Sequence, residues 1–133
     1  LRDQVILPLR AGRTACFQLY DWVADRLNDW VRIDAGGVTI IDGVFAVRNE
    51  LADYYDLRLW FSCPREIRVA RLLNRGDTSQ AELDYWFPIE ERYIALQTPD
   101  KSAHLVIDGA VDMSGGDANG SFEALRWSLP SAV

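Results

Sequence analysis

Apolar positions change their period along this chain, and the changes mark its elements. Val38-Thr-Ile-Ile41 is an unbroken β-preferring run that ends in Asp42-Gly43. A strand without polar alternation is buried on both faces, as in a parallel sheet covered by helices. Leu57-Arg-Leu-Trp-Phe61 and His104-Leu-Val-Ile107 predict two more strands of this kind, the second ending in Asp108-Gly109. Elsewhere the period is helical. Residues Leu1 to Leu9 read as the end of a helix, followed by a loop through Arg10-Ala-Gly-Arg13. Leu19, Trp22, Val23, Leu27 and Trp30 recur at helical spacing and predict an amphipathic helix with one apolar face. Asp34-Ala-Gly-Gly37 is a turn that feeds the strand at Val38, because paired glycines supply positive φ at little steric cost.

Local signals place the remaining elements. Val44 to Tyr55 reads as helix or irregular turn, with Asn49 as the cap of a short helix. Ser62-Cys-Pro64 opens a helix, since proline suits the first turn, and Ser79-Gln-Ala-Glu82 has the form of a capping box. Pro88 is expected to kink or divide the helix that follows. Met113 to Ser121 is a glycine-rich connector, and Phe122 to Leu129 reads as an edge strand or short helix. Strands separated by helices imply βαβ crossovers and a parallel sheet. The expectation is an α/β fold in one domain over residues 1–133, with 113–133 as a variable carboxyl-terminal tail.

Composition narrows the function classes. A chain of 133 residues buries a real core but is small for a multi-stranded α/β domain. Its formal net charge of -6 argues against nucleic acid or an anionic membrane as partner. Cys16 and Cys63 lie far apart without CxxC spacing, so neither a metal site nor a disulfide framework is indicated. No apolar run reaches the length of a membrane span, and the expectation is a soluble, cytoplasmic protein. Of its fourteen cations all but Lys101 are arginine, so any role that needs a lysine has one candidate.

Few residues carry an obvious chemistry. Asp42 arrives at the carboxyl end of a buried strand, where ligands of such sheets bind; it serves either chemistry there or as the cap of the next helix. Arg68, Arg71 and Arg75 share one face of the helix after the second strand. They form either a solvated face answered by carboxylates such as Glu66 or Asp77, or a stripe that reads phosphate through bidentate guanidinium contacts. Arg75-Gly-Asp-Thr78 is either an ordinary connection or the hinge of an arginine-bearing lid. Tyr20 and Asp21 fall in the first turn of the predicted amphipathic helix, where a carboxylate caps unpaired amides or meets a ligand. His104, the single histidine, stands at a strand start with no partner motif, so no catalytic role is assigned to it.

Taken together these segments resemble the uridine kinase and phosphoribulokinase group of P-loop kinases, and most nearly its small bacterial uridine kinase-like members. The matching pieces are PLRAGR at Pro8 to Arg13, YDW at Tyr20 to Trp22, and GGVTIIDGVFAV at Gly36 to Val47. YYDLRLWFSCPREIRVARLLNRGD follows at Tyr54 to Asp77, and AHLVIDG at Ala103 to Gly109 closes the match. The resemblance implies a three-layer α/β/α parallel sheet, ATP and magnesium as cofactors, and a nucleoside or similar small molecule as phosphoryl acceptor. It implies a catalytic, indirect magnesium contact for Asp42, phosphate contacts for Arg71 and Arg75, and acceptor contacts for Tyr20 and Asp21. Where nucleoside-specific members carry a histidine five residues beyond the tyrosine, this chain has Asp25. It leaves a homo-oligomer open and predicts no nucleic-acid or membrane partner.

One family hallmark is absent: no segment reads G-x-x-x-x-G-K-[ST], the loop that cradles phosphates with backbone amides and a lysine. Lys101 lies far downstream and cannot replace it. The expectation is therefore the carboxyl-terminal two thirds of a kinase, whose first strand and P-loop precede Leu1. Because that strand lies between those matched by Val38–Asp42 and Leu57–Phe61, its loss is expected to expose two edges and leave the chain marginally stable. The competing expectations are a related kinase with another hydroxyl acceptor, and a non-catalytic P-loop remnant that binds a protein partner.

Overall fold

The computed structural model describes residues 1–76 and 78–111 and the backbone of 124–127. It is a mixed α/β structure with one two-stranded and one three-stranded sheet. The chain forms two compact units, Leu1–Asp42 and Gly43–Val133.

The first unit opens with a π-helical stretch, Arg2–Ile6, that runs into helix α1, Leu7–Arg10, with Pro8 in its first turn. Strands β1, Ala15–Asp21, and β2, Arg26–Ile33, then form an antiparallel hairpin. Ala15 pairs with Ile33 and Phe17 with Val31, so apolar side chains share one face at the two-residue period of a strand. Val5, Ile6 and Ala15 are the buried residues of this unit.

The hairpin replaces the amphipathic helix expected over Leu19 to Trp30. The residues that looked like one helical face divide between two strands and a turn, and Trp22 is 79% exposed at the tip rather than in a core. Carboxylates at both ends of the tip and aromatic or branched residues in the arms favour this outcome. The strand expected at Val38–Asp42 is likewise absent. Gly36 and Gly37 make the predicted turn with positive φ, but the run beyond is irregular, with Val38 91% and Ile40 86% exposed. An apolar run becomes a strand only where a neighbouring backbone pairs with its amides. No strand does so among the described residues.

The second unit contains the 3₁₀ helix Asn49–Tyr54 and the sheet β3, Leu59–Ser62; β4, Leu105–Asp108; and β5, Ala124–Trp127. Strands β3 and β4 are parallel, with Leu59 opposite Leu105 and Ser62 opposite Asp108, whereas β5 is antiparallel to β4. Two predicted strands thus form within two residues of their expected bounds, and Phe122 to Leu129 yields strand where it is described. The rest of the tail 113–133 lies outside the described residues. Leu105, Val106 and Ile107 are all buried, as a central strand covered on both faces requires. His104 sets the register: its N–H donates to the Arg58 carbonyl at 2.9 Å, and its Nδ1 accepts from the Arg58 N–H at 3.1 Å.

Three helices connect β3 to β4: α2, Arg65–Arg75; α3, Gln80–Gln97; and α4, Pro99–Ser102. Pro64 is the N-cap of α2 and Gly76, left-handed at φ 80°, ends it. The predicted capping box is formed, with Ser79 Oγ accepting from the Glu82 N–H and the Glu82 carboxylate accepting from the Ser79 N–H. Pro88 does not divide α3, which runs unbroken on both sides of it because Leu83, Phe87 and Tyr93 anchor it in the core. Asn49 is not a cap: Arg48 takes that position, and the Asn49 N–H donates to Gln97 Oε1 at 2.8 Å.

Candidate functional site

In the first unit the sequence-predicted acceptor residues meet at the hairpin tip. Asp21 Oδ1 accepts from the N–H groups of Val23 at 3.0 Å and Ala24 at 2.9 Å, so its carboxylate closes the turn instead of capping a helix. Asp25 adopts φ 49°, a left-handed conformation that aspartate tolerates better than most residues, and its carboxylate accepts from the Tyr20 hydroxyl. That hydrogen bond, with a smaller contribution from burial, raises the Tyr20 pKa, since ionisation would set a phenolate against a carboxylate. The Tyr20 and Trp22 rings meet edge to face with centroids 4.9 Å apart. The tip therefore displays an aromatic pair beside an anchored carboxylate. Asp42 belongs to the same unit as an exposed carboxylate with no hydrogen bond among the described residues.

In the second unit the carboxyl ends of the parallel strands are tied together. Gly109 donates to the Ser62 carbonyl at 2.7 Å, and a Cβ at Gly109 would lie 3.2 Å from that oxygen and 3.3 Å from Cys63 Cβ. Only glycine permits this approach without displacement. Asp108 Oδ1 accepts from the Ala110 N–H at 2.7 Å and turns the chain. Arg71 completes the strap: its guanidinium donates to the carbonyls of Gly109, of Ala110 at 3.1 Å and of Val111 at 3.4 Å.

Helix α2 thus spends its arginines in different ways. Arg65 pairs with Glu91 and Arg68 with Glu90, and their guanidinium carbons lie 4.6 Å and 5.1 Å from the centroid of the Phe87 ring. Two anions from α3, not Glu66, answer Arg65 and Arg68, while Asp77 lies outside the described residues. Arg75 occupies the exposed last turn of α2, next to Gly76. Sequence reading placed Arg68, Arg71 and Arg75 on one helix, as observed, but did not find Glu90 as the partner of Arg68 and assigned nothing to Phe87. Opposite charges on successive helices joined by a short connection were the available signal.

A cavity of about 290 Å³ lies in the second unit, walled by Trp60, Phe61 and Ile94 and edged by Arg68, Glu90 and Asp100. Among the described residues no group of three His, Cys, Asp or Glu side chains could hold a metal ion, and no helix is long and apolar enough to cross a membrane. Comparison with models of known protein families finds no match, and comparison with curated proteins finds none either.

Proposed function

We propose that this chain is the acceptor- and lid-bearing part of an ATP-dependent phosphotransferase of uridine kinase type, acting on a hydroxyl of a nucleoside or similar small molecule. The observation that carries this reading is the parallel β3–β4 pair, whose carboxyl ends lie together with the arginine helix α2 starting beside them. Open α/β sheets bind ligands at that end. The hairpin tip supports it from the sequence side, because Tyr20 and Asp21 fall where the resemblance expects the acceptor contact.

The residues present fit the two cofactors unequally. Magnesium held mainly by substrate phosphates needs only one or two protein carboxylates, and the exposed Asp42 can be one. For ATP, Arg75 in the exposed last turn of α2 is the phosphate-reading candidate from the resemblance, and the Arg71 guanidinium donates to three carbonyls. No backbone cradle for the β- and γ-phosphates is encoded in these 133 residues. In the reading proposed, magnesium and fixed cations offset charge on the transferring group, and this chain's part is to orient acceptor and phosphate.

ATP turnover with a nucleoside panel tests the proposal. The expected result is no turnover by the 133-residue chain and turnover by a protein in which an in-frame P-loop precedes it. In that longer protein Arg75→Ala is expected to weaken phosphate handling by about 1.5–3 kcal/mol, the value of a charged hydrogen bond. Arg65→Ala acts on stability instead, because Arg65 is paired with Glu91. Equal kinetic effects of the two substitutions would remove the lid assignment. A second reading, a non-catalytic relative that binds a partner by strand addition, has one observation in its favour. Among the described residues β3 is an edge strand, and its Phe61 is 61% exposed.

A further inference from the structure

Helix α3 is apolar on two opposite faces, and the fold covers only one of them. Leu83, Phe87 and Tyr93 are buried. On the other side Ala81, Tyr85, Ile89 and Leu96 recur at helical spacing and are exposed, Tyr85 by 65% and Leu96 by 70%. Trp86 flanks this stripe with its ring edge to face against that of Tyr85, the centroids 5.3 Å apart. A surface helix normally turns charged residues away from its buried face, so a contiguous apolar stripe there marks an interaction site.

The few charges along the stripe decide what covers it. Arg92 lies within it, exposed and without an ion pair among the described residues. Asp84 lies at its edge and accepts from Gln80 through Oδ1 at 2.8 Å, with Oδ2 unengaged among the described residues. The neighbouring Glu90 and Glu91 are already answered by Arg68 and Arg65. The open face therefore offers one anion and one cation, four residues to either side of Pro88. Pro88 also supplies no N–H to the Asp84 carbonyl, which leaves a second acceptor beside that carboxylate. A partner with a surplus of either sign would leave one of these charges unanswered. A copy of α3 lying antiparallel across a two-fold axis beside Pro88 answers both, because its Arg92 meets Asp84 and the Tyr85 ring while its Asp84 meets Arg92. In the same register Ile89 faces its counterpart near the axis, and each Leu96 packs on the small Ala81 of the other helix.

We propose that the exposed stripe of α3 is a self-association surface, which pairs antiparallel with α3 of a second copy of this chain. The stripe from Ala81 to Leu96 is about 22 Å long at the rise of an α-helix, a short interface that gives a weak, reversible dimer. None of the residues given a role in phosphoryl transfer belongs to it, so the proposal stands apart from the kinase reading.

Sedimentation of the full chain over a concentration series from micromolar to millimolar tests the proposal. A monomer–dimer equilibrium is expected, with a dissociation constant of about 10–100 µM. Ile89→Asp sets two carboxylates against each other near the axis and is expected to weaken association at least about tenfold. Arg92→Glu and Asp84→Arg, made singly, bring like charges together and are expected to weaken it about three- to tenfold each. Made together they exchange the pair, and association is expected to return to within about threefold of the parent chain. All three positions are exposed, so the melting temperature is expected to stay that of the parent. Should Ile89→Asp lower it, the charge exchange alone decides. A monomer at every concentration would overturn the proposal, since something other than a copy would then cover the stripe. So would association that Ile89→Asp leaves unchanged in a folded chain, or a double variant no better than the single ones.

Discussion

Replacing Arg71 by leucine separates two roles for the most heavily bonded arginine of α2. Leucine keeps helix propensity and an apolar stem but removes every donor to the carbonyls of Gly109, Ala110 and Val111. A hydrogen bond contributes about 0.5–1.5 kcal/mol net, and more where one partner is charged. The contact to Val111, at 3.4 Å, adds little, and because Arg71 is exposed, water can replace part of what is lost. The expected destabilisation is therefore about 1–2 kcal/mol for the second unit. Urea unfolding of a small domain has a slope of about 1–3 kcal/mol per molar, so the midpoint falls by roughly 1 M with the slope unchanged. Hydrogen exchange at Ala110 and Val111 is expected to rise with it, since the strap is local. A midpoint that does not move would show that water serves these carbonyls as well as Arg71 does, and would return the guanidinium to phosphate reading.

The remaining predictions follow from burial and charge. Asp42→Asn is expected to leave the melting temperature unchanged, since Asp42 is exposed and without a hydrogen bond among the described residues, while lowering magnesium-dependent nucleotide affinity in a protein that also carries a P-loop; unchanged magnesium dependence would sink the metal role. The folded Tyr20 pKa lies above its ordinary value of 10.0, so the Tyr20–Asp25 contribution to stability is complete below about pH 10 and is lost as pH rises through the folded value. Asp25→Gly keeps the left-handed turn but removes the acceptor, and absorbance titration at tyrosinate wavelengths is expected to show one tyrosine ionising at lower pH than in the parent chain. Phe87→Ala is expected to destabilise the second unit by about 3–5 kcal/mol, measured by denaturant unfolding, because it empties a buried site and removes the ring beneath Arg65 and Arg68.

What the sequence determined by itself is local. Ser79 and Glu82 carry the start of α3 in their own side chains, Gly76 the end of α2, and Gly36-Gly37 a turn, because each of these features is satisfied within a few residues. The run at Leu105 to Ile107 also formed as read, since a short run of consecutive apolar residues suits a strand covered on both faces. Tertiary structure decided the rest. The same composition at Val38 to Ile41 gives an exposed, irregular segment, because a strand needs a partner for its amides and the run cannot supply one. Leu19 to Trp30 satisfied a helical period by coincidence, and cross-strand pairing of Phe17 with Val31 overruled it. For the candidate site, sequence placed Arg71 and Arg75 on one helix face and Tyr20 next to Asp21. That Arg71 closes on the chain after β4, that Tyr20 donates to Asp25, and that Arg68 pairs with Glu90 depend on distances between residues remote in the chain or folded across a turn, which no local pattern encodes.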